Sequence, residues 1–176
     1  SFNGNKTITT GGGGAVVTND TELAARIRHL STTAKIPHRF EFDHDEAGFN
    51  YRMPNINAAL GVAQLEVLPM LLANQRELLR RYQNAFRGFQ AGSLRVERAG
   101  TTSNYWLHAF VLEPGKSTQR DEIIEACLDV GLAVRPLWKP LDSLSPFSAS
   151  PGTDATVAKD LYLRTICLPS SASIVA

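Results

Sequence analysis

Cysteine is nearly absent: two residues in 176, Cys127 and Cys167, both inside apolar patterns and 40 positions apart. That excludes a disulfide framework and offers no metal-ligand spacing, so both are expected as buried free thiols and no metal site is assigned. An excess of charge is also missing, because 18 basic and 17 acidic side chains leave a formal charge of +1. Nothing electrostatic therefore recommends nucleic acid as a partner. No uninterrupted apolar run reaches the roughly 18 residues of a membrane helix. The start, Ser1 to Lys6, lacks the apolar stretch of a signal peptide. The chain is accordingly expected to be soluble and cytoplasmic, with no membrane partner. Internal repeats and low-complexity segments are missing too. What is present, 43% apolar and 20% charged residues, is enough for a sizeable core.

The chain reads as starting in mid-fold and stopping just after a strand and a Ser-rich turn. Ile8 to Thr10 and Ala15 to Thr18 read as short extended pieces of a hairpin around the run Gly11 to Gly14, where side chains would obstruct the turn. Asn19-Asp20-Thr21-Glu22 supplies a helix start, followed by Leu23, Ile27 and Leu30 at helical spacing, with an end by about Thr33. From Ala34 to Asn50 the pattern is lost. Pro37, two histidines and the acidic residues Asp43, Asp45 and Glu46 predict a long ordered loop, of the kind that carries function or an interface. Asn55 is the expected N-cap of the next helix, whose apolar face is Ile56, Ala59, Leu60, Ala63, Leu65 and Leu68. Pro69 is expected to kink or interrupt it before a second stripe from Leu71 to Phe89.

Beyond Gly92 the pattern changes. Strands are expected at Leu94 to Glu97, Trp106 to Leu112, Leu132 to Arg135 and Thr165 to Leu168, with an amphipathic helix at Asp121 to Val130. Two domains follow: 1–91, carrying an interface loop and connecting helices, and 92–176, a small α+β domain with helices on one sheet face.

Chemistry concentrates near the start. A lysine beside a turn is more often solvated than reactive, but Lys6 sits among hydroxyl and amide side chains ahead of four consecutive glycines that allow close approach of a ligand. The run has neither dinucleotide-binding nor P-loop spacing, and Lys6 precedes it.

Ser1-Phe2-Asn3-Gly4-Asn5-Lys6 with Thr9-Thr10-Gly11-Gly12-Gly13-Gly14, then Gly48-Phe49-Asn50-Tyr51-Arg52-Met53-Pro54-Asn55-Ile56-Asn57-Ala58-Ala59-Leu60-Gly61 and Gln64-Leu65, resemble the DegT/StrS family of pyridoxal-phosphate-dependent nucleotide-sugar aminotransferases. The resemblance continues more loosely through Ser103 to Leu107, Gly131 to Trp138 and Leu168-Pro169-Ser170. It covers nearly the whole chain but only the C-terminal half of a family member. It implies an α/β fold, the C-terminal part of an aspartate-aminotransferase-like (fold type I) enzyme, with the end of the large domain followed by the small one.

The resemblance also implies roles. Lys6 would form the Schiff base with pyridoxal 5′-phosphate and move the proton at the reacting carbon, for which an amine with a lowered pKa is suited. Ser1 would bind the cofactor phosphate. Asn50 would reach the partner subunit's cofactor phosphate, so a homodimer with a shared active site is expected. Arg52 would hold an anion, either the carboxylate of a glutamate donor or a sugar-nucleotide phosphate, since its fork suits both. Tyr51 lines the same pocket or is an interface aromatic. His38, in Ala34-Lys35-Ile36-Pro37-His38, contacts sugar or phosphate or caps its loop. Arg135, Trp138 and Lys139 lean over the sugar-nucleotide or simply end a strand.

The Ala34 to His38 run is similar to members that aminate the 4-keto carbon of nucleotide-linked 6-deoxy hexoses, for surface glycan biosynthesis. Lys6 stands where dehydratase relatives have histidine, which argues against that branch. The four glycines replace a Gly-Glu-Gly-Gly form common in the family. The ring-stacking aromatic and the carboxylate paired with the pyridine nitrogen belong to the N-terminal half of family members. The 176 residues alone are therefore expected to be inactive in transamination. The competing reading is a truncated homologue serving as a dimerisation or interaction module.

Overall fold

A computed structural model describes residues 1–175. The chain packs as two compact units, 1–68 and from Pro69 onward. The boundary expected near Gly92 thus falls inside the second unit.

In the first unit, residues 1–18 form no ladder of strands, contrary to the expected hairpin. The chain does fold back, with Phe2 N–H donating to Gly13 O at 2.9 Å and Thr10 N–H to Phe2 O at 3.0 Å. Local side-chain bonds take the place of the ladder. Thr9 Oγ1 accepts from Gly11 N at 2.9 Å, and Thr10 Oγ1 donates to Gly12 O. Threonine hydroxyls compete with sheet bonding in this way wherever they can reach nearby backbone. Gly11 and Gly13 take φ of 79° and 94°, values that L side chains rarely adopt.

Helix α1 spans Thr21–Ser31. Asp20 has extended backbone and its Oδ1 accepts from Leu23 N at 2.9 Å, as the sequence predicts for an N-cap. Glu22 in the first turn and Arg28 and His29 in the last complement the helix dipole. The loop that follows closes on itself through single bridges, Thr32 to Asn50 and Lys35 to His44.

Helix α2 is one element, Asn55–Ala85, with Pro69 inside it. Pro69 therefore interrupts nothing, although it lacks the N–H that would serve the carbonyl of Leu65. Apolar residues continue on both sides of the proline, and packing outweighs the lost bond. Asn55 is the first helical residue. Asn57, Gly61 and Gln64, spaced i, i+4 and i+7, face Thr9 and Thr10: Asn57 Nδ2 donates to Thr10 O at 2.5 Å, and Gln64 Oε1 accepts from Thr9 N at 3.4 Å. A Cβ on Gly61 would come within 2.9 Å of Thr10 Cγ2, so the small residue permits this approach. The stripe carrying Ile56, Leu60 and Leu65 is exposed in the single chain, Ile56 to 80%. By length and composition α2 is long and apolar enough to cross a membrane. Its apolar run is not unbroken, because Asn57, Gln64 and Glu66 divide it.

The second unit is a four-stranded antiparallel sheet in the order β1-β2-β4-β3, formed by β1 (Gly92–Leu94), β2 (His108–Leu112), β3 (Arg135–Pro136) and β4 (Thr165–Leu168). β4 has the expected limits, whereas β1 and β3 are shorter and displaced. Gly92 pairs with Leu112 beneath the Phe110 ring, where a Cβ would meet Phe110 Cε1 and Val111 O at 2.5 Å. Phe110, Leu112 and Ile166 from the sheet pack with Val134 and with Ile124 of α3 (Gln119–Asp129). α4 (Thr156–Arg164) is absent from the sequence reading. Its N-cap residue, Ala155, offers no side-chain cap, but its end is held by Arg164 donating to Leu112 O at 2.6 Å and by Arg120 donating to Tyr162 O at 2.5 Å. Cys127 and Cys167 are free thiols, and burial pushes the Cys167 thiol up.

Candidate active site

In the first unit, two segments distant in sequence meet. The last carbonyls of α1, which have no partner within the helix, accept from the Asn50 segment: Leu30 O from Phe49 N at 2.7 Å and Ser31 O from Tyr51 N at 2.9 Å. Thr33 N returns a bond to Phe49 O at 2.9 Å. Gly48 makes this approach possible, because a Cβ there would lie 2.4 Å from the Ala34 nitrogen and the Thr33 carbonyl carbon. Ala34 beneath it is completely buried. Three ion pairs hold the acidic part of the loop on α1: Arg26 with Glu46, His29 Nε2 with Asp45 Oδ1 at 2.7 Å, and His29 Nε2 with Glu46 Oε1 at 3.6 Å. The His29 ring holds the Asp45 carboxyl below the usual range, and the Arg26 guanidinium does the same for Glu46. Ligand atoms of His29, Asp45 and Glu46 lie within 4.8 Å of one another. Arg26 already engages both oxygens of Glu46.

Held in this way, Asn50, Tyr51 and Arg52 face the glycine turn. Gly12 to Gly14, Asn50 to Arg52 and Asn57 border one open cleft of about 510 Å³. Ser1 lies beside the same turn, since a Cβ on Gly14 would be 3.6 Å from Ser1 Cα. Hydroxyl, amide and guanidinium donors around a bare glycine backbone are the donor set that a phosphate requires. The residues present therefore fit a phosphate-bearing cofactor. Lys6 is half-buried in the turn whose Lys6 N–H donates to Asn3 O at 3.0 Å, and it is not among the residues lining that cleft. Tyr51 is 75% exposed and stacks on Phe49, with ring centroids 5.1 Å apart.

Arg52 also borders a second cleft of about 400 Å³ with Arg28, Ser31 and Thr32. Arg28 has no role in the sequence analysis, and no local signal marks it, because the cleft it borders forms only when the Asn50 segment closes on α1. Asn57, likewise without an assigned role, lies within the second motif. His38 stands apart from both clefts. Its Nδ1 accepts from Glu41 N at 2.9 Å, and its ring meets Phe40 edge-on, a geometry that caps its own loop. In the second unit, Arg135 lies over Trp138 at 4.3 Å, and Trp138 pairs with Trp106. The sequence reading gave Trp106 no role.

Comparison with known proteins agrees with these motifs. Residues 1–175 match the model of the DegT/DnrJ/EryC1/StrS aminotransferase family. The chain is 38% identical to EpsN of Bacillus subtilis (strain 168), a proposed pyridoxal phosphate-dependent aminotransferase, over 99% of this chain and 45% of that protein. It is 35% identical to the GDP-perosamine synthase of Caulobacter vibrioides over 99% of this chain and 47% of that one. Helicobacter pylori PseC, an aminotransferase involved in pseudoaminic acid biosynthesis, superposes with a TM-score of 0.91 at 27% identity, over 98% of this chain and 47% of that one. The chain thus spans about half the length of the curated relatives it matches, and its fold is that of a fold type I α/β fragment. Solved relatives exist in pyridoxal phosphate and pyridoxamine phosphate forms, and pyridoxal phosphate is the cofactor of the group. On motif, architecture and matched length together, the chain belongs to the DegT/DnrJ/EryC1/StrS aminotransferase family.

Proposed function

We propose that the protein containing this chain is a homodimeric, cytoplasmic aminotransferase. It moves an amino group from glutamate to the 4-keto carbon of a nucleotide-linked 6-deoxy sugar for surface glycan biosynthesis. The observation that carries this reading is that the fold holds Asn50 to Arg52, all exposed, as a fixed segment beside the glycine turn in a family member, where it is open to a partner subunit. The GDP-perosamine synthase relative supports a sugar nucleotide as substrate.

Bound pyridoxal phosphate supplies an electron sink for the carbon that loses its proton. The chain's own residues do the remaining work. Lys6 Nζ would hold the cofactor, and would take and return the proton at the reacting carbon. Ser1 Oγ donates to the cofactor phosphate. Asn50 does so toward the partner subunit's cofactor, and Arg52 holds the substrate anion beside Tyr51. Arg135 and Trp138 contact the sugar nucleotide, while His38 caps its loop. The 176-residue chain alone does not turn over, because the carboxylate that pairs with the pyridine nitrogen belongs to the N-terminal half of family members.

The test is borohydride reduction of the chain mixed with pyridoxal phosphate, followed by peptide mass mapping. Selective, stoichiometric labelling of Lys6 is expected, and Lys6→Arg abolishes it. Labelling scattered over surface lysines would reject the assignment of Lys6.

A further inference from the structure

The chain has two tryptophans, and the fold brings them together on the second unit. Trp106, ahead of β2, and Trp138, just beyond β3, have ring centroids 5.6 Å apart with planes inclined by 31°. The guanidinium carbon of Arg135 lies 4.3 Å from the Trp138 ring centre. Arg135 is fixed by the sheet, because β3 pairs it with Cys167 of β4. Trp138 nonetheless remains 56% exposed, and Lys139 beside it is exposed as well. Two flat π surfaces thus stand together beside the sheet, with a guanidinium already stacked and an ammonium nearby. Among the described residues, no carboxylate lies within ion-pair distance of Arg135 or Lys139.

We propose that Trp106, Trp138 and Arg135 form a stacking platform for the base of a nucleoside diphosphate, with Arg135 and Lys139 turned to its phosphates. The proposal rests on the nucleotide-sugar reading above and names the group on this chain that holds the nucleotide end of that substrate. The ligand needs both a planar aromatic group and adjacent negative charge. A dicarboxylate amino donor has only the charge. Stacking uses the π face that every base possesses, so the platform retains nucleotides without choosing among bases. Discrimination between guanine and uracil has to come from hydrogen bonds elsewhere.

Because both tryptophans belong to the platform, intrinsic fluorescence of the 176-residue chain reports on it directly. Titration with UDP and with GDP is expected to quench emission saturably, with affinities within about threefold of each other. Inorganic pyrophosphate at the same concentrations should leave emission unchanged. Trp138→Ala, at an exposed position, should weaken nucleotide binding by between about 5-fold and about 150-fold, the range for loss of one stacked aromatic. Trp106→Phe keeps a π face and should keep saturable quenching of the remaining indole. The proposal is overturned by an absence of saturable quenching, by equal quenching with pyrophosphate, or by Trp138→Ala binding UDP as the parent chain does. Binding of a single-stranded oligonucleotide tighter than that of UDP would also overturn it, by identifying a nucleic-acid surface instead. Lys6 labelling together with a silent platform would leave the aminotransferase reading standing and remove only this inference.

Discussion

His108 is 1% exposed, and its Nε2 meets Gln75 Oε1 at 3.0 Å while Gln75 Nε2 donates to Ser170 O at 2.6 Å. This chain of bonds requires the proton on Nε2 and leaves Nδ1 bare, with no partner. Burial pushes the imidazole pKa below its ordinary value. The unfolded chain, with a histidine pKa near about 6.5, therefore binds a proton that the folded chain refuses, so this contribution is intact above about pH 6.5 and declines as pH falls below it. His108→Gln should flatten that dependence between about pH 7 and pH 5 in urea midpoints, whatever its effect at neutral pH. Gly48 is a second case in which one residue decides a neighbourhood. With backbone atoms 2.4 Å from the position of an added Cβ, Gly48→Ala cannot be absorbed by a side-chain rotation. A loss of about 1–3 kcal/mol is expected, and hydrogen exchange should locate it in residues 30–51. Protection there equal to that of the parent chain would contradict this account of the Asn50 segment. A glycine in the second motif was visible in the sequence, but its reason was not, because Thr33 and Ala34 come against it only through the fold.

Among the elements, α1 and β4 were read correctly, whereas the hairpin expected around Gly11 to Gly14 forms only a turn without a strand ladder. α1 begins where Asp20 can cap it, and Asp20→Ala should cost about 1 kcal/mol, with a smaller loss for Asp20→Asn. A thermal scan of the two variants distinguishes capping from loss of charge. β4 had the expected limits because Thr165 to Leu168 is a short apolar run buried in the middle of the sheet order. At Pro69 the expected interruption of α2 does not occur. A proline normally signals a break, yet here buried Gln75, Leu78 and Leu79 anchor the helix beyond it. Pro69→Ala is predicted to raise the thermal midpoint, since it restores a donor to the Leu65 carbonyl and removes a penalty that reaches about 3 kcal/mol in helix interiors. An unchanged or lower midpoint would show that the proline is required by its surroundings. α4 went unread because the groups that fix its end, Arg120 and Arg164, bond carbonyls across the fold, Arg164 to a carbonyl 52 residues away.

For the whole molecule, the exposed stripe of α2 and the exposed Tyr51 belong to a chain that spans about half of its relatives. In the full-length protein, Asn50→Ala is expected to weaken cofactor affinity, read by absorbance titration, while sedimentation shows the dimer unchanged. Cofactor affinity equal to the parent's would remove Asn50 from the phosphate. By itself the sequence determined what is encoded locally: the cap of α1, the turn around Gly11 to Gly14, the apolar periods of the helices and two motifs specific enough to indicate family and cofactor. Each depends on residues a few positions apart, whose hydrogen bonds and dihedrals need no distant partner. Only the tertiary structure decided that the α1 carbonyls would hold the Asn50 segment, that Asn57 and Arg28 would border the same clefts as the motif residues, and that Trp106 and Trp138 would share one surface. Those pairings span some 20 to 50 residues. Their energy comes from groups that meet only when loop closure has been achieved, and local sequence carries no record of which distant group will be there.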